Sequence, residues 1–192
     1  MTSVNTLFNA LYFAAHVILL HSQIANLQPQ DVPDITKFYS EFSTIWIVNT
    51  TMHTKKYCEL DFVNKTTPDY ANFSRIYFFG PTMEQDYLQG LFTMDDKNKN
   101  NNMIYNAMVV HPLNARSTMN TSLETLLYSF QNYTCGIFYV ILLPGGQGPY
   151  YDMRVKQSTI QSPNLGCVIQ YQRVAAGDPI TTTYNRSCQG TR

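Results

Sequence analysis

Between residues 44 and 156 the chain alternates short runs of β-branched and aromatic residues with polar or Gly/Pro breaks, a pattern of strands rather than helices. The runs predict strands near 44–53, 56–64, 73–79, 83–93, 103–110, 123–130, 134–142 and 150–156. KNKNNN at 97–102 reads as a polar loop and LPGGQGP at 143–149 as a Gly/Pro turn. Several strands carry one apolar and one mixed face, as a closed antiparallel sheet requires. The expected fold is all-β, an eight-stranded antiparallel up-and-down barrel of a size that encloses one small ligand. Helices flank it. In DVPDITKFYSEF (31–42), Ile35, Phe38, Tyr39 and Phe42 fall at helical spacing behind Asp34 as N-cap. A C-terminal helix is predicted from Ser162 as N-cap and Pro163 at its first position, with Leu165, Val168, Ile169 and Val174 as its apolar stripe. Gly177-Asp178-Pro179 would stop it.

Composition narrows the function classes. Thirteen basic and thirteen acidic residues leave no net charge, so nothing draws the chain to nucleic acid or to an anionic membrane. Leu7 to Leu20 is apolar but too short to span a bilayer. It suits a signal peptide over 1–24, cut between Ser22 and Asn26, that leaves one secreted domain over 25–192; the alternative is a buried N-terminal helix. No second apolar stretch approaches spanning length, so membrane insertion is not expected. Four cysteines (Cys58, Cys135, Cys167, Cys188) and six Asn-x-Ser/Thr glycosylation sites (Asn49, Asn64, Asn72, Asn120, Asn132, Asn185) agree with an extracellular destination. Four cysteines allow three pairings, and the sequence alone does not choose. None has C-x-x-C spacing and no His cluster accompanies them, which disfavours a metal site. Beyond the leader only His53 and His111 remain, GGQG lacks the Lys-Ser/Thr of a phosphate loop, and no carboxylate pair is set for acid/base work. Neither an enzyme nor a cofactor is expected.

Side-chain alternation along a strand assigns faces. In FSTIWIVNT, Trp46 and Val48 share one face and Asn49 lies on the other. A sugar on Asn49 must face solvent, so Trp46 and Val48 are expected inside. On the next strand Asn64 shares parity with Cys58, which would turn Glu59, Asp61 and Val63 inward. That is costly unless the acids are paired; the alternative is that Asn64 already lies in the turn. An outward Asn72 places Phe73, Arg75, Tyr77 and Phe79 inside, and an outward Cys135 does the same for Gly136, Phe138 and Val140. The candidate ligand-binding residues are therefore Trp46, Val48, Phe73, Tyr77, Phe79, Met103, Tyr105, Phe138, Val140 and Asp152. Such a lining suits a flat apolar ligand, although the same aromatics can simply fill a core. Whether Tyr105 or Met108 points inward stays open.

LLYSFQNYTCGIFYVILLPGGQGPYYDMRV (126–155) resembles the tick salivary lipocalins. That family shows Leu-Tyr-Ser-Asp-Tyr, then Cys and an apolar strand, then a Gly-containing turn and a Glu-Leu-Trp-Val strand. Leu127-Tyr128-Ser129, Tyr133, Cys135 and Tyr151-Asp152-Met153-Arg154-Val155 are the counterparts here. The early helix, Trp46 and Cys58 extend the resemblance over most of the mature chain. It implies a lipocalin barrel with a C-terminal helix, and the pairings Cys58 with Cys188 and Cys135 with Cys167. It also implies secretion into a feeding site and capture of a host mediator; the family's ligand classes are histamine, serotonin, leukotrienes, fatty acids and cholesterol. Asp152 and Arg154 stand where the motif has Glu and Trp, which argues against amine binding. The phrase around Trp46 and the many sequons are similar to the japanin subgroup, which implies a cholesterol-like ligand, dendritic-cell modulation and a host immune-cell receptor as partner. The leading expectation is thus a secreted carrier of a small hydrophobic ligand, a sterol or other lipid, that modulates immune cells. The alternatives are a histamine or serotonin scavenger drawing on Glu59, Asp61, Glu84, Asp86 or Asp152, and a protein-binding module using loops 65–72, 95–102 and 111–121.

Overall fold

The structure is a computed structural model that describes residues 11–18, 27–29, 33–95, 104–113, 121–143 and 148–190. Eight antiparallel strands form the body: β1 (Thr44–Thr50), β2 (Lys56–Thr66), β3 (Tyr70–Phe79), β4 (Thr82–Thr93), β5 (Ala107–Pro112), β6 (Ser122–Phe130), β7 (Cys135–Leu142) and β8 (Tyr150–Lys156). Each pairs with its sequence neighbours, and β1 pairs with both β2 and β8, so the meander closes into a barrel without a free edge. A short β9 (Thr181–Thr182) adds beside β1. The expected strands are all present, within a few residues at their ends. KNKNNN, most of LPGGQGP, the expected cleavage segment, Met103 and Asn120 lie outside the described residues.

Both helices differ from expectation. The first, α1 (Ile35–Phe38), is a single turn. Asp34 does cap it, accepting from the Thr36 amide at 3.0 Å, but Phe42 has left the helix with φ 61° and is exposed. The second, α2 (Leu165–Val174), is capped by Asn164, not Ser162: the Asn164 side chain accepts from the Cys167 amide at 3.1 Å. Its buried face is Gly166, Cys167 and Tyr171, while Leu165 and Ile169 of the expected stripe are exposed. The covalent bond between Cys135 and Cys167 decides which face meets the barrel.

α1 plugs one end of the barrel. Ile35, Phe38 and Tyr39 are fully buried in the interior cluster, with Phe38 edge-on to Phe138 (5.1 Å between centroids) and Tyr39 against Phe73 (5.3 Å). Gly136 makes this fit. A Cβ there would lie 2.6 Å from the Phe38 ring and 2.8 Å from Leu126, so any larger residue would push the plug out.

A second apolar cluster lies on the outside of the wall, and it holds Trp46 and, at its margin, Val48. The expected inward orientation of these two residues is therefore wrong. The reason is a bulge: Ile47 pairs with Arg154, but Asn49, not Val48, takes the next partner, Met153. A bulge adds a residue and resets alternation. Val48 and Asn49 thus both face out, as does Trp46, while Ile45, Ile47 and Thr50 face in. Trp46 is nonetheless fully buried, because the C-terminal tail lies over it. Tyr184 packs edge-on to the indole at 5.0 Å, and the Trp46 Nε1–H donates to Gln157 at 2.6 Å. Gln157 is tied in turn to Gln189. Thr183 donates through its amide and hydroxyl to the carbonyls of Val48 and Ile47. The bond between Cys58 and Cys188 pins the tail to this wall. Both disulfide pairings are those implied by the family resemblance.

Of the potential glycosylation sites, Asn64, Asn132 and Asn185 are exposed, and Asn49 and Asn72 are half-buried on the wall. Asn132 sits in a turn where Gln131, Asn132 and Tyr133 all have positive φ.

The tail dock predicts the behaviour of a Cys58→Ser/Cys188→Ser double variant. Stability should fall by up to about 5 kcal/mol on the chain-entropy scale for a loop of this length. Trp46 emission should shift to the red and acrylamide should quench it more strongly than in the wild type, because the tail no longer covers the indole. An unchanged quenching constant would contradict the dock.

Candidate ligand cavity above a buried ion-pair layer

Opposite the plug the barrel opens into a cavity of about 650 Å³. The layer between plug and cavity is ionic. Arg75 on β3 donates from Nε and Nη2 to the two oxygens of Asp61 on β2, at 2.7 and 2.9 Å. Its Nη1 reaches Glu124 on β6 at 3.1 Å. Arg154 on β8 bonds the other Glu124 oxygen and, through Nη2, Asp152 Oδ2 at 2.8 Å. Arg154 Nη1 also donates to the Tyr39 hydroxyl at 2.6 Å, and Tyr39 donates to Asp61 at 2.8 Å, which ties the plug to the layer. The guanidinium of Arg154 lies 4.3 Å from the Phe138 ring centroid, a cation–π contact.

Titration reflects this pairing. Burial alone would raise the Glu124 carboxyl, but Arg154 and Arg75 hold it down at about 2. Burial would likewise lower both arginines, and the facing carboxylates instead push them well above their ordinary value. Glu59, by contrast, is raised by burial, with Lys56 only partly opposing. Tyr150, on the cavity wall, is raised well above the ordinary phenol value by burial and by Asp152, so it stays a neutral donor.

The cavity wall combines Ile47, Met52, Leu88, Leu142 and Tyr150 with the polar side chains Lys56, Glu59, Arg75, Ser122 and Asp152. Lys56 and Glu59 face it together because β2 is bulged between Tyr57 and Leu60, with Cys58 at φ 51°. Their side chains form an ion pair of 3.4 Å. Asp152 is the chemically unusual member. Its Oδ2 is paired with Arg154, while its Oδ1 is buried without a hydrogen-bond partner among the described residues. Lys56, Arg75 and Arg154 face Glu59, Asp61, Asp86, Glu124 and Asp152, which leaves two carboxylates in excess around the cavity and its floor.

Of the candidate ligand residues, Asp152 lines the cavity. Phe73, Phe138 and Val140 lie in the interior core rather than on the cavity wall. Tyr77 faces the same side as Arg75 and sits under Lys56, whose Nζ is 3.8 Å from its ring centroid. Phe79 is exposed at the strand end, and Tyr105 packs against the core, where its carbonyl accepts from the Ile35 amide. Met108, the alternative to Tyr105, is fully buried in the same core. Trp46 and Val48 belong to the outer wall, as described above. The inward run Glu59, Asp61, Val63 follows the parity of an outward Cys58, and Asp61 is paired. Glu124 was missed. Its signal was the lone charged residue of its strand, two residues before Leu126.

An eight-stranded meander with one plugged end, one open end and a helix packed outside is the lipocalin fold. No protein-family model matches the chain and no curated protein matches it by sequence. Solved structures do. A serotonin complex of AM182 is 17% identical, with 81% of this chain and 92% of that one covered at a TM-score of 0.56. The siderocalin Ex-FABP, described as having dual ligand specificities, is 9% identical over 75% and 93% of the two chains, at 0.54. Japanin from Rhipicephalus appendiculatus bound to cholesterol superimposes at 0.49, with 12% identity over 81% and 100% of the two chains. The first two define the class: the chain has a lipocalin-type barrel.

Glu124 predicts how acid acts on this barrel. Its folded value, about 2, lies below the ordinary 4.5. Its stabilisation is therefore complete above about pH 4.5 and is lost as pH falls towards 2, a change of roughly 3 kcal/mol. Urea unfolding of wild type and Glu124→Gln between pH 5 and 2 should show the stability gap closing by about that much as pH falls.

Proposed function

We propose that this protein is a secreted lipocalin-type carrier, not an enzyme, that captures a small amphipathic ligand by a hydrogen-bond-donating head, with a ligand ammonium the head that suits the site best. The observation that carries this reading is Asp152, a residue of the cavity lining whose Oδ1 is a buried acceptor without a donor among the described residues, in a site where carboxylates outnumber cations. An unsatisfied buried acceptor costs about 1–3 kcal/mol, which a ligand donor recovers. The apolar body of the ligand would lie against Ile47, Met52, Leu88 and Leu142, gaining about 25 cal/mol per Å² buried. The resemblance of residues 126–155 to tick salivary lipocalins supports a salivary role in which the ligand is a host mediator, with an effect on immune cells following from its removal.

A sterol or other lipid alcohol is the second reading, favoured by the same apolar wall, since a hydroxyl also donates. Secretion is supported by the two disulfides and by the exposure of Leu11, Tyr12 and Phe13, which join no core; removal of 1–24 as a signal peptide would dispose of this apolar surface. Sugars are proposed on Asn49, Asn64, Asn72, Asn120, Asn132 and Asn185.

The readings part at Asp152→Asn, which keeps an acceptor but removes the charge. Serotonin affinity, measured by calorimetry, should fall roughly 10- to 100-fold, whereas cholesterol binding, measured by competition, should change little. Failure of the wild type to bind serotonin while it retains cholesterol would replace the first reading with the second. Trp46 fluorescence is a poor reporter of occupancy, because the indole lies outside the barrel.

A further inference from the structure

We propose that the Lys56 ammonium is a built-in occupant of a second cation subsite in the cavity wall, formed by Glu59 and Tyr77, and that it restricts the barrel to one ammonium ligand. The restriction rests on the reading of Asp152 given above; the subsite itself does not. Lys56 Nζ lies 3.4 Å from Glu59 Oε1 and 3.8 Å from the centroid of the Tyr77 ring. A carboxylate on one side and an aromatic face on the other is what a free alkylammonium requires. The subsite belongs to the cavity, because the β2 bulge turns both Lys56 and Glu59 onto its wall.

Lys56 differs from the arginines of the floor in how firmly it is held. Arg75 makes bidentate contact with Asp61 and reaches Glu124 as well. Lys56 makes one ion pair and one ring contact, and its side chain is 29% exposed. The floor is therefore saturated, whereas the Lys56 position is filled by a group that water reaches and that only its tether keeps in place. Tethering gives an effective concentration in the millimolar range, enough to exclude a weakly bound free ammonium. Shortening this one side chain leaves Glu59 with its burial and its neighbouring ring but no cation. Lys56 is thus a specificity-determining residue: it sets the number of cationic groups the barrel accepts.

The test uses n-butylammonium chloride, a free alkylammonium with the four-carbon stem of a lysine side chain, on a Lys56→Ala variant. Against sodium chloride at equal concentration, the melting temperature of Lys56→Ala should rise by about 3 °C more than that of wild type at saturating butylammonium. Wild type, whose subsite is occupied, and Lys56→Ala/Glu59→Gln, whose subsite has lost its charge, should show only the rise that butylammonium gives through Asp152, which all three proteins keep. Lys56→Thr, a better strand former at this strand-initial position, replaces the alanine variant if the latter does not fold. In calorimetry the serotonin stoichiometry should rise from one per chain in wild type to two in the variant. No greater butylammonium response in the variant than in wild type overturns the proposal, as does a double variant that responds as strongly as Lys56→Ala. A wild type that binds no serotonin overturns the Asp152 reading alone, because Asp152 is common to all three proteins and cancels from the butylammonium comparison.

Discussion

The barrel depends on a single buried layer in which two arginines are shared among three carboxylates. Arg75 and Arg154 bridge Asp61, Glu124 and Asp152 across strands β2, β3, β6 and β8. Breaking one such partner strands the rest, at about 3–5 kcal/mol for a buried pair. The layer therefore fixes the relative position of distant strands and, through Tyr39, of the plug. It also divides the interior into a sealed base packed with Phe38, Phe73 and Phe138 and an open half that can receive a ligand.

Chemistry at the cavity follows from where that layer stops. Among the described residues no other buried side-chain oxygen or nitrogen lacks a partner, while Asp152 at the upper edge of the layer is satisfied on one side only. Arg154, which stands where the tick lipocalin motif that residues 126–155 resemble has Trp, occupies one oxygen of Asp152. The departure that argued against amine binding from the sequence thus leaves the other oxygen unsatisfied at the cavity. The aromatic lining expected from the sequence is largely spent in the core, and what remains at the wall is a mixture of aliphatic and charged side chains.

The outer wall solves a different problem. A polar tail gains little by itself from lying on a barrel, and ordering it costs about 1–2 kcal/mol per residue in backbone entropy. The Cys58–Cys188 bond and the burial of Trp46 beneath Tyr184 offset that cost together. The segment 46–58 is consequently a docking strip: Trp46 supplies area, the carbonyls of Ile47 and Val48 supply acceptors, and Cys58 supplies the covalent anchor.

Strand number and strand order were legible in the chain, because period-two patterning and turn residues are local signals. So were the inward Phe73, Arg75 and Phe138, which lie within unbroken alternation from an outward marker, whereas Glu59 and Asp61 were left open against a turn at Asn64 and lie on a strand bulged on either side of them. Only the tertiary structure decided the rest. A bulge at Val48–Asn49 costs one residue and no recognisable sequence mark, yet it reverses the face of everything beyond it, and so Trp46 sits outside. Which arginine meets which acid, which face of α2 is buried, and which carboxylate oxygen is left over depend on strands brought together from opposite ends of the chain. Such long-range pairings have no periodicity to read.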